Sequence, residues 1–154
     1  VALLQAAPLD LVILALGTND VFAEAGRKPE DTVNAMRSLV KVTKDLPTAQ
    51  GSSVPNTSPP EVMIVAPPNC LPLSSVVGEG FPELDKLTRW LPELAKLYGE
   101  LAIEQNTYFV DAAELCEPDP VDGLHLDVEN TRKLGDGIAK ALALQGFARL
   151  IKNR

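Results

Sequence analysis

The sequence predicts a single α/β domain of three layers, in which helices cover both faces of a parallel sheet. Three observations point there. Apolar runs alternate along the chain with longer segments whose apolar residues recur every three or four positions. The first run is continuous rather than alternating, as in strands buried on both faces. The length of 154 residues suits one domain, read here as 1–154, and no internal repeat divides it.

The elements follow in order. Leu9 to Leu16 reads as the first strand. A helix is expected from about Pro29 to Lys44. Pro29 suits the first helical position, Glu30 and Asp31 favour the positive end of the helix dipole, and Arg37, Lys41 and Lys44 favour the negative end. Val33, Met36 and Val40 give it one apolar face. Pro47 to Pro60, rich in Pro, Ser, Thr, Asn and Gly, reads as an exposed loop. Glu61 to Ala66 is the second strand, closed by Pro67-Pro68, and a looser connection runs from Asn69 to Gly80. From Pro82 to about Gln105, Leu84, Leu87, Leu91, Leu94, Tyr98 and Leu101 form the stripe of an amphipathic helix. Pro92 lies inside it and is expected to break or kink it, because it removes a backbone donor and crowds the preceding turn. Thr107 to Asp111 is the third strand. A last helix should start after Asp127, a residue able to cap free N–H groups, and run through Leu134, Ile138 and Leu142.

Composition narrows the function. A net charge of -7 and a pI near 4.7 argue against nucleic acid, which needs a basic face to displace counterions, and against anionic membrane surfaces. No apolar run approaches the roughly 20 residues that span a bilayer. Cys70 and Cys116 fit two small buried thiols better than a disulfide scaffold, and no zinc-binding spacing is present. The chain opens at Val1 rather than Met, so an upstream segment is expected to have been removed or left out. Localisation therefore stays open, with the cytoplasm slightly favoured.

Two motifs carry chemistry. The run Leu11 to Leu16 delivers into Gly17-Thr18-Asn19-Asp20, at the carboxyl end of a strand where ligands gather in parallel sheets. Glycine permits a tight turn there, and an Asn amide can donate to a developing oxyanion. The alternative is a plain turn that caps the next segment. Far downstream, Asp122-Gly123-Leu124-His125 carries the only histidine. An Asp three residues earlier can hold an imidazole in one tautomer, so that its other nitrogen serves as general base. The alternatives are a helix-capping surface loop with an incidental histidine, or a metal held by Asp122, His125 and Asp127, which lacks an obvious further ligand.

Together the motifs resemble the SGNH hydrolases, also called the GDSL esterase/lipase family. The longer strings Leu11 to Asp20 and Val121 to His125, with Val65-Ala66-Pro67-Pro68, are similar to its oligomeric arylesterase/acyltransferase branch. The resemblance implies a flavodoxin-like fold without its N-terminal strands. It also implies an ester hydrolase acting on a small ester through a Ser-His-Asp triad, with no metal or organic cofactor. It makes His125 the general base, Asp122 its orienting carboxylate and Asn19 an oxyanion donor, with Thr18 and Leu124 bordering the substrate pocket. The departure is equally definite. The family's Gly-Asp-Ser block, which supplies the nucleophile, and its glycine oxyanion block do not occur. Ser38, Ser52, Ser53, Ser58, Ser74 and Ser75 stand in other surroundings, and none is assigned as nucleophile.

The expectation is thus a C-terminal portion of an esterase that is inactive alone. The competing class is a truncated or degenerate homologue that keeps the pocket for binding. Without the family's first strand and its helix, the Leu9–Leu16 strand should present an open edge and an apolar patch. Self-association, a homo-oligomer, or pairing with a separate N-terminal segment follows from that.

Overall fold

The computed structural model describes residues 9–23, 27–45 and 59–146. Three strands, β1 (Leu11–Ala15), β2 (Glu61–Ala66) and β3 (Tyr108–Asp111), form a parallel sheet in the order β1-β2-β3. Leu14 pairs with Ile64 and Ile64 with Phe109, so all three carboxyl ends reach the same side of the molecule. Among the described residues four α-helices accompany them: α1 (Thr18–Phe22), α2 (Pro29–Lys44), α3 (Leu84–Gln105) and α4 (Val128–Leu144). The expected loop over Pro47–Pro60 lies outside the described residues except for Pro59 and Pro60.

Strand alternation divides the core in two. Val12, Leu14, Val62, Ile64 and Ala66 pack with α2 and α3 on one face. Met63, Val65 and Val110 meet Leu134, Ile138 and Leu142 of α4 on the other. This is the three-layer α/β arrangement expected from the sequence. Cys70 and Cys116 are free, buried thiols in opposite halves of this core. Burial pushes Cys70 up to about 11 and Cys116 in the same direction, so both remain protonated at neutral pH.

Two elements differ from expectation. The first strand is shorter than Leu9–Leu16, since Asp10 precedes it and accepts from the Glu61 N–H at 2.9 Å instead. And α3 runs unbroken through Pro92. Pro92 itself is exposed, while Leu84, Leu87, Leu91, Leu94, Tyr98 and Leu101 are at most 1% exposed. A mid-helix proline costs about 3 kcal/mol. Six buried side chains at roughly 1.5–3 kcal/mol each outweigh that and hold the helix on both sides of it. At its end, Asn106 turns the chain with φ 49°, a left-handed cap that asparagine tolerates.

The α4 side of the sheet is thinly covered. No residue of α4 is fully buried, and Ile13 of β1 is 42% exposed. Among the described residues β1 pairs with β2 alone. The described residues thus leave one edge of β1 without a partner strand.

Candidate functional site

Both motifs arrive at the carboxyl end of the sheet. After β1 the chain passes through Gly17 at φ 128°, a region open to glycine and strained for other residues. A Cβ there would also stand 2.9 Å from the Tyr98 hydroxyl and 3.0 Å from Leu94 Cδ2. That hydroxyl donates to the Leu16 carbonyl at 3.2 Å, so the glycine clears the space for a strut from α3. Burial pushes the Tyr98 phenol well above its ordinary range, which keeps it a donor. The next residues are helical rather than a plain turn. Thr18 and Asn19 open α1, the Gly17 carbonyl accepts from the Val21 N–H, and Asp20 pairs with Arg27 at 3.1 Å. Asn19 is exposed at the strand end.

The second motif is folded around its own carboxylate. Asp122 Oδ1 accepts from the backbone N–H of Leu124 and of His125, each at 2.9 Å. Its Oδ2 lies 2.7 Å from His125 Nδ1. Gly123 takes φ 73° between them, donates to the Asp119 carbonyl and accepts from the Leu71 N–H. The Leu124 N–H, and after it the His125 ring and N–H, hold the Asp122 carboxyl down to about 2. An anionic oxygen against Nδ1 places the proton on Nδ1 and leaves Nε2 as the basic nitrogen. Asp127, by contrast, caps α4: its carboxylate accepts from the Asn130 N–H at 2.6 Å. The proposed metal trio therefore loses a member to helix capping.

A pocket of about 400 Å³ joins the two motifs and is lined by Thr18, Asn19, Leu124 and His125. Ala15, Val65, Ala66 and Leu134 are among its apolar walls. Asp122 stands behind His125 rather than in the pocket. A cleft of similar volume beside β3 is lined by Lys96, Phe109, Asp111 and Glu114, and no described residue there is a histidine or carries a hydroxyl. None of the described serines lines the pocket: Ser38, Ser74 and Ser75 are exposed elsewhere. Ser52, Ser53 and Ser58 lie outside the described residues.

The sequence model of the GDSL-like lipase/acylhydrolase family matches residues 2–130. The chain belongs to that family. Solved structures agree with the GDSL assignment. A carbohydrate acetylesterase from Sinorhizobium meliloti is 34% identical with a TM-score of 0.76, covering 94% of this chain and 65% of its own. The native aryl esterase of M. smegmatis is 33% identical with a TM-score of 0.72, covering 91% and 62%. A second carbohydrate acetylesterase family member from S. meliloti is 28% identical with a TM-score of 0.76, covering 93% and 65%. The chain thus spans under two thirds of each relative's length. No curated protein sequence matches it.

Three features of this pocket and its surroundings carry no motif in the sequence. Leu126 and Leu134 contribute to the pocket, Tyr98 braces the turn at Leu16, and Phe81 meets the His125 ring edge-on. Leu134 was legible only as a helix-stripe residue, and Phe81 gave no signal.

Proposed function

We propose that the protein to which this chain belongs hydrolyses small carboxylic esters, with acyl transfer to alcohols as a side reaction. The observation that carries this is the His125–Asp122 pair, 2.7 Å apart, opening on a pocket that also holds Asn19. A serine oxygen attacks the ester carbonyl while His125 Nε2 takes its proton. The Asn19 amide and backbone N–H groups stabilise the oxyanion. His125 then protonates the departing alkoxide and serves again as base when water or an alcohol releases the acyl group. Thr18 and Leu124 border the substrate, and the apolar walls suit a short acyl chain.

The serine is assigned to a segment outside these 154 residues. Supporting this, none of the described serines lines the pocket, the similar solved structures are longer chains, and among the described residues β1 pairs along one edge only. That segment, or a second copy in a homo-oligomer, is the occupant of the edge. The test uses an aryl acetate and a serine-directed phosphonate. The isolated chain is expected to show no saturable turnover and no label, and the longer protein to take one label per chain. A label on a serine within the 154 residues would overturn the assignment. A longer protein that takes none would point to a binding role instead. In the active protein, Asn19→Ala should lower turnover by roughly a hundredfold or more. An effect below twofold would remove Asn19 from the oxyanion site.

A further inference from the structure

Phe81 belongs to neither motif, yet it touches both halves of the site. It stands just ahead of α3, where its carbonyl accepts from the Leu84 N–H at 3.1 Å. Its side chain is half-buried against the core that contains Leu84 and Leu87. On one side its ring meets Phe22, the last residue of α1, with centroids 5.3 Å apart at 84°. On the other it meets the imidazole of His125 at 6.2 Å and 68°. Both are edge-to-face contacts inside the range where aromatic quadrupoles attract.

The imidazole needs such a contact. Its side chain is 71% exposed, and Asp122 holds it at one atom, Nδ1. A single hydrogen bond restrains that atom and leaves coupled χ1 and χ2 adjustments of the tethered ring, which tilt its plane and re-aim Nε2. A ring edge against the imidazole removes that freedom. The other end of the bridge is firm, because α3 fastens α1 at both ends. Tyr98 donates to the Leu16 carbonyl ahead of α1, and Lys86 Nζ reaches the Phe22 and Ala23 carbonyls behind it at 3.4 and 3.3 Å.

We propose that Phe81 is a positioning residue that sets the plane of the His125 imidazole relative to Asn19 by bridging Phe22 and His125. Its catalytic meaning rests on the ester-hydrolase reading, while its geometry does not. His125 is the only histidine, so its ring protons give isolated resonances in the spectrum of the 154-residue chain. Phe81→Leu keeps the bulk and removes the ring. Those resonances should move toward the positions of a free imidazole, with faster ring motion, while the Asp122-bonded Nδ1–H persists. Phe22→Leu should move them less and in the same direction, and it stands in if Phe81→Leu does not fold. Unmoved imidazole resonances in a folded variant would overturn the bridge. In the active longer protein, Phe81→Leu should lower kcat roughly two- to tenfold with KM little changed. Shifted resonances with unchanged kcat would overturn the positioning role. An unsubstituted protein without esterase activity would count against the function proposed above, leaving the resonances to decide the bridge.

Discussion

His125→Ala is expected to lower ester turnover of the active protein by roughly four to six orders of magnitude, with substrate binding little changed. The size follows from the absence of a substitute. Among the described residues no Asp, Glu, Lys or Tyr lines the pocket to take the serine proton in its place. The fold should not suffer, because the imidazole is 71% exposed and His125 is not among the buried core residues. Loss of activity can therefore be read as loss of chemistry. Steady-state kinetics with an aryl acetate measure it. The rate of phosphonate labelling should fall in parallel, since that reaction needs the same base. A variant that keeps near-normal turnover would dismiss His125 as the base, whatever holds its ring.

Elements governed by local chemistry were legible in the sequence. α2 begins at Pro29 and ends at Lys44 as the charges and proline indicate, and β2 ends at Ala66 ahead of Pro67-Pro68. Asp127 caps α4 through its own side chain, a signal contained within four residues. The two motifs were legible for the same reason: each is a short string whose chemistry depends on near neighbours. Features set by packing were not. Pro92 reads as a helix breaker until the buried leucines on either side are counted together. Gly17 reads as a turn, whereas its φ and the Tyr98 hydroxyl in the space of its missing Cβ make it the entry to a helix. Phe81 lies 41 residues before the Asp122 loop and has no periodic or compositional mark. Only the fold brings its ring to His125.

Asp122→Asn separates the two duties of that carboxylate, and it is expected to lower turnover roughly ten-thousandfold while the loop stays folded. The asparagine carbonyl can still accept from the Leu124 and His125 N–H groups, as Oδ1 does now. Its amide nitrogen, however, would face His125 Nδ1, and two donors cannot meet there. The imidazole must then carry its proton on Nε2 and accept at Nδ1, which turns the basic nitrogen away from the serine. Protonation of Asp122 itself would have the same effect, but its carboxyl is held down from 3.8 to about 2. The folded value lies below the unfolded one, so the carboxylate stabilises the loop fully above about pH 4. That contribution is lost as pH falls through about 2, and amide protection of Leu124 and His125 should fall over the same window. In Asp122→Asn this acid step should vanish, because no proton can be added there. Retention of activity within tenfold, with the acid step gone, would mean that Asp122 only folds the loop and that some other group orients His125.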